Sequence, residues 1–144
     1  MPLRIIPYAR GDDLPLIEAE LQDLRTHGKS GCKDEGRLRA VIERCWATNG
    51  FNCTQLSYRP IEGKPYEKKL WEARYLRSAR SDGVHGYRIF YMLARDPKRN
   101  EQVVVLLMLF AKEGDTTPKA VLDRAWQRYK EVEKLILDGT FFDD

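Results

Sequence analysis

Arginines, lysines and tyrosines crowd the stretch Leu70–Thr117, LWEARYLRSARSDGVHGYRIFYMLARDPKRNEQVVVLLMLFAKEGDTT. Set on strand-like apolar runs, such side chains can hold a polyanion. A guanidinium pairs two phosphate oxygens at once, an ammonium adds a point charge, and tyrosine supplies a hydroxyl and a ring. The charge distribution points the same way. Between Lys64 and Arg99, ten basic residues (Lys64, Lys68, Lys69, Arg74, Arg77, Arg80, Arg88, Arg95, Lys98, Arg99) face four acidic ones (Glu67, Glu72, Asp82, Asp96), a local charge of +6. With the whole chain at +3, the remainder carries −3. That asymmetry predicts a polyanion-binding face, with RNA the foremost candidate. His85 lies in the glycine-rich segment just before Arg88 and can titrate near neutrality, which makes it a candidate general acid or base. A solvated basic surface would show the same charge count, so the placement of the arginines has to decide.

Strand periodicity places them. Leu70–Leu76 sets Leu70, Glu72, Arg74 and Leu76 on one side and Trp71, Ala73 and Tyr75 on the other. Tyr87–Ala94 sets Arg88, Phe90 and Met92 on one side and Tyr87, Ile89, Tyr91 and Leu93 on the other. Asp96-Pro97-Lys98-Arg99-Asn100 marks a hairpin turn, and Gln102–Phe110 is almost wholly apolar, as expected of a central strand buried on both faces. Upstream, Leu3–Ala9 reads as an edge strand because Pro7 lacks a ladder donor. Leu14, Ile17, Leu21 and Leu24 form a helical stripe ending near Gly28; Leu38, Val41, Ile42, Cys45 and Trp46 form a second, stopped at Asn49-Gly50. Between them, Gly28–Gly36 (GKSGCKDEG) reads as a linker, since it does not meet the GxxxxGK[ST] phosphate-loop spacing. Phe51–Pro65 is irregular, with a short strand over Cys53–Tyr58. Thr116-Thr117-Pro118 opens the last helix, threonine as cap and proline at the first helical position, and Val121, Leu122, Ala125, Trp126, Tyr129, Val132, Leu135 and Ile136 make its apolar stripe. The order β-α-α-β-β-β-α predicts an α+β fold: a small antiparallel sheet with helices packed on one face and the basic face open.

The length suits one domain over 1–144, with an edge strand and helical hairpin in 1–66 and the sheet and C-terminal helix in 67–138. A 33% charged, 42% hydrophobic composition excludes a disordered chain. The longest apolar run, Val103–Ala111, is far short of the ~20 residues that span a bilayer, and MPLRIIPYARGDD lacks the apolar core of a signal peptide. A cytoplasmic protein without a membrane partner is expected. Cys32, Cys45 and Cys53 have no CxxC spacing and only His27 and His85 could join them, which argues against zinc and for reduced cysteines with no metal or other cofactor.

The strand LWEARYL, the strand GYRIFY and the apolar VVVLLMLF running into AKEGDTTPKAVLDRA resemble the RelE/ParE toxin superfamily, and within it the HigB-like, phage-derived branch. Members of that branch carry an L-x-E-x-R strand, a Y-R-x-x-Y strand and an apolar strand leading to F-x-K and T-P; the match spans Lys68 to Arg128. The resemblance implies a RelE-like fold and the toxin component of a type II toxin–antitoxin system. Such a toxin is a metal-independent mRNA endonuclease that inhibits translation, on the ribosome or free of it, and is held inactive by a cognate antitoxin. It further implies catalytic roles for Arg74, Arg88, Lys112 and Tyr91, while His85 stays a catalytic candidate on its own titration and position near Arg88. Lys68, Lys69, Arg77, Arg80 and Tyr87 would position RNA. Alternation sets Tyr91 and Tyr87 opposite Arg88, which favours core positions for both. Two departures stand out: Glu113 occupies a position where members often carry a cation, and no tyrosine or histidine after Lys112 matches the family's C-terminal catalytic residue. A ParE-like gyrase poison and a non-catalytic interaction module of phage or mobile-element origin are the alternatives on the same fold.

Overall fold

Alternation along the two longest strands sorts the sheet's side chains into two cores, and that sorting dictates the layers. The computed structural model describes residues 2–76, 84, 86–113 and 116–142. Its strands are β1 (Arg4–Pro7), β2 (Ser57–Pro60), β3 (Trp71–Leu76), β4 (Gly86–Asp96) and β5 (Glu101–Lys112), in the order β1-β5-β4-β3-β2. The helices are α1 (Leu16–Asp23), α2 (Gly28–Ala40), α3 (Ala47–Asn49) and α4 (Lys119–Leu137). The fold class is α+β. The expected all-antiparallel sheet is corrected to a mixed one, because β1 pairs with β5 in parallel, Arg4 opposite Val103 through Pro7 opposite Leu106.

The expectation of helices on one face is also corrected. Tyr87, Ile89 and Tyr91 of β4, with Val104, Leu106 and Leu109 of β5, pack against Ile17, Leu21, Leu38, Val41 and Trp46 from the N-terminal helices. Phe90, Met92, Val103, Val105, Leu107 and Met108 instead pack against Val121, Ala125, Tyr129 and Val132 of α4. The C-terminal helix therefore lies on the arginine side of the sheet. A bulge makes the β5 pattern possible: Phe90 pairs with Met108 and Tyr91 with Leu106, leaving Leu107 between them, so two consecutive residues serve the α4 core.

Since β1 is only four residues long, β5 beyond Leu106 has an open edge. Glu20 of α1 accepts from the Leu109 N–H at 2.8 Å, Arg128 of α4 donates to the Leu107 carbonyl at 2.9 Å, and the two side chains pair with each other at 2.9 Å. One ion pair thus closes the exposed ladder and ties the two helical layers together across it.

Gly28–Gly36, expected as a linker, is most of α2. The stripe is there at helical spacing, Gly31, Asp34, Glu35 and Leu38, but glycine and acids fill positions normally taken by apolar residues. Their partners come from elsewhere in the fold. Tyr87 donates to Asp34 at 2.6 Å, while Glu35 accepts from Arg25 at 2.7 Å and from Arg39 at 2.9 Å, and Arg39 also pairs with Glu18 at 2.7 Å. Gly31 allows the preceding turn to approach; a Cβ there would lie 2.0 Å from the Leu24 carbonyl oxygen. Gly31→Ala is expected to destabilise the protein by about 3 kcal/mol, the upper end of overpacking, read from the urea midpoint at unchanged slope.

After α2 the coil widens to i→i+5 turns over Val41–Trp46, and the chain folds back so that Cys45 meets Cys53. These two cysteines form a disulfide with Cα atoms 5.4 Å apart, correcting the expectation of reduced cysteines for this pair; Cys32 is free and exposed. The short strand expected over Cys53–Tyr58 lies at Ser57–Pro60, an edge strand that adds a fifth member to the sheet. Among the described residues no helix is long and apolar enough to cross a membrane.

Candidate functional site

On the α4 side of the sheet, cross-strand register assembles a cationic cluster at the end where α4 begins. Arg74 of β3 stands directly opposite Arg88 of β4, and Glu72 stands opposite Phe90 on one side and Arg59 of β2 on the other. Phe110 of β5 faces Arg88, and Lys112 faces Gly86, which puts Lys112 on the same side of the sheet as Arg88. Like charges directly opposed on a sheet repel. The buried carboxylate of Glu72 makes the pair tolerable: Oε1 accepts from Arg74 Nε at 2.9 Å and Oε2 from Arg88 Nη1 at 3.1 Å. Among the described residues, three arginines against one glutamate leave this group at +2, Lys112 apart.

Arg88 is the centre of this group. Only 6% of it is exposed, and Nη1 donates both to Glu72 and to the Thr117 hydroxyl just ahead of α4. Nε and Nη2 are buried and, among the described residues, have no hydrogen-bond partner. Burial pulls its guanidinium below the ordinary arginine value, with Arg74 and Arg59 pulling the same way and Glu72 opposing them. A buried donor without an acceptor costs about 1–3 kcal/mol, more when charged. The two free N–H directions on Arg88 are therefore the kind of strain that an incoming anion relieves. Around it, Arg74 is about a quarter exposed and Arg59 is open to solvent. The cluster thus opens to solvent at Arg59 and Arg74, with the unpaired nitrogens of Arg88 buried behind them.

The remaining expected residues fall in three groups. Tyr87 and Tyr91 are each 1% exposed and lie on the opposite face, in the core beneath the N-terminal helices. Tyr87 is bonded to Asp34 there. Tyr91 packs between Trp46 and Trp71, and burial raises its hydroxyl well above the usual tyrosine value. Neither shares a face of the sheet with Arg88, as the alternation of β4 dictates, so the cluster does not bring them together with it. Lys68 and Lys69 are exposed in the turn before β3, outside the arginine cluster, with Lys69 Nζ 5.9 Å from the Trp126 ring centroid. Arg77, Arg80 and His85 lie outside the described residues. Three members of the cluster escaped the sequence reading as site residues: Glu72, Arg59 and Thr117. Glu72 had a signal, an acid alternating with Arg74 on one side of a strand. Arg59 sits in the irregular stretch, and Thr117 read as a helix cap.

No protein-family model matches this chain, and no curated protein sequence matches it.

Proposed function

We propose that the chain is an RNA-cleaving toxin of the RelE/ParE type, a metal-independent mRNA endonuclease acting in the cytoplasm and held in check by a cognate antitoxin. One observation carries the reading: a buried arginine with two unpaired N–H donors, set against a second arginine on the neighbouring strand. In the proposed reaction the 2′-hydroxyl gives its proton to solvent as its oxygen bonds to the adjacent phosphorus, the P–O5′ bond breaks, O5′ takes a proton from Lys112 or solvent, and a 2′,3′-cyclic phosphate and a free 5′-hydroxyl result. The phosphorane gains negative charge along the way, and fixed cations aimed at it lower the barrier without having to reorganise. Arg88 and Arg74 hold the non-bridging oxygens, Glu72 holds both guanidinium planes, and Lys112 supports the leaving 5′-oxygen with charge or a proton.

The test is purified protein incubated with a short oligoribonucleotide in EDTA, with and without ribosomes. The expected product carries a 2′,3′-cyclic phosphate, and a 2′-deoxy substitution at the cut position blocks its formation. RNA left intact under both conditions would overturn the reading.

A further inference from the structure

At the start of the last helix Pro118 occupies the N-cap position, in an extended conformation (φ −59°, ψ 144°), and among the described residues no side chain caps the first turn. Thr117, the residue suited to that task, has its hydroxyl engaged by Arg88 instead. The first N–H groups of any α-helix lack an intrahelical acceptor, and together they carry about half a positive charge. The Val121 N–H already finds the Pro118 carbonyl at 3.0 Å, and among the described residues the N–H groups ahead of it, on Lys119 and Ala120, meet no acceptor. The first turn contains no acidic residue. Beside this pole lies Arg88, more than nine-tenths buried, bonded to the residue that leads into the helix, with Nε and Nη2 unpaired.

We infer that the start of α4 and Arg88 together form a phosphate-binding subsite, in which one phosphate group accepts from the Lys119 and Ala120 backbone N–H groups and from the unpaired N–H donors of Arg88. The inference rests on reading the arginine cluster as a phosphate site, but it does not require that RNA be cut. Backbone N–H groups at a helix start converge on one anion, and a guanidinium contributes a planar pair of donors to the same oxygens. The cluster's surplus of positive charge needs an anion, and the helix pole tells where that anion sits.

The conformation of Pro118 supplies a clean probe. A residue before proline prefers extended backbone, and Pro118 already has it, so Lys119→Pro can remove one N–H from the first turn without breaking the helix. Lys119→Ala is the charge control, since the lysine ammonium pairs with Asp123 at 3.1 Å. With inorganic phosphate as the probe, the Lys119 and Ala120 amide resonances are expected to move on titration. Lys119→Pro is expected to weaken phosphate binding about fivefold relative to Lys119→Ala. Thr117→Asp provides a second variant that does not risk the backbone. Its carboxylate should pair with Arg88 and neutralise the helix pole, raising Tm while abolishing phosphate binding. A 2′-O-methylated oligoribonucleotide without terminal phosphates forms a parallel arm. Amide shifts with inorganic phosphate identify a site for phosphate monoesters and free phosphate; shifts with the oligoribonucleotide alone identify a site for the RNA backbone. Unmoved Lys119 and Ala120 amides in both arms, or equal phosphate affinity in the proline and alanine variants, overturn the subsite. Amide shifts in protein that leaves RNA intact would instead uphold the subsite and overturn the nuclease.

Discussion

Replacing Arg88 by methionine is expected to lower single-turnover RNA cleavage on the order of 10²–10³-fold, the scale of losing one preorganised donor to a developing oxyanion. The same change has a structural consequence that must be separated from the chemical one. Arg88 supplies one of the two guanidinium contacts to Glu72, which is 3% exposed. Removing it leaves that carboxylate buried beside Arg74 alone, and half-broken buried pairs are destabilised by roughly 3–5 kcal/mol. Glu72→Leu combined with Arg88→Met removes both charges and should recover most of the lost stability, since apolar replacement of a buried ion pair is often neutral or better. It should recover none of the cleavage. Arg88→Lys keeps the charge and loses the planar fork, so a large residual defect would show that paired donors matter beyond charge. If the methionine variant cuts RNA at the unmodified rate while folded, Arg88 has no part in the reaction.

The second large effect is expected in the opposite core. Trp46 is fully buried, with its ring centroid 5.3 Å from that of Tyr91 and 5.7 Å from that of Tyr58. Trp46→Ala should destabilise by about 3–5 kcal/mol, the range for deleting a large aromatic from a core. Its indole Nε1 is buried and meets no acceptor among the described residues, so Trp46→Phe loses ring volume but also removes an unsatisfied donor, and these effects offset. The phenylalanine variant is therefore expected to unfold within about 1.5 kcal/mol of the parent, as near-isosteric core swaps do. Urea titrations of the two variants side by side check this, and equal losses would show that ring volume is not what Trp46 contributes. The position also bears on the site, because Tyr58 packs on Trp46 and is followed directly by Arg59 on β2.

Several features of the fold could be read directly from residue order. The β4 alternation placed Arg88 opposite Tyr87 and Tyr91, and the structure keeps them on opposite faces. The apolar run of β5 read as a strand covered on both sides, and it is one. The proline in the first strand read as an edge, and β1 is an edge. Each is a local rule, in which side-chain direction follows from backbone period and a missing N–H from a ring. Helix α2 defeated the same reasoning because its buried stripe consists of Gly31, Asp34, Glu35 and Leu38. Nothing local distinguishes an acid destined for Arg25, Arg39 and Tyr87 from one destined for water.

What the sequence by itself determined is the α+β class and the sharing of one strand side by Glu72 and Arg74 and of another by Arg88 and Phe90, since the pleat fixes these at every residue. What only the tertiary structure decided is the site. That α4 covers the arginine side, that Arg74 falls opposite Arg88 with Glu72 between them, that Arg59 joins from β2, and that Thr117 turns from its helix to Arg88 are all matters of register and layer choice. Those choices are made by pairings between residues far apart in the chain, whose energies are set by burial and partners that no single segment contains.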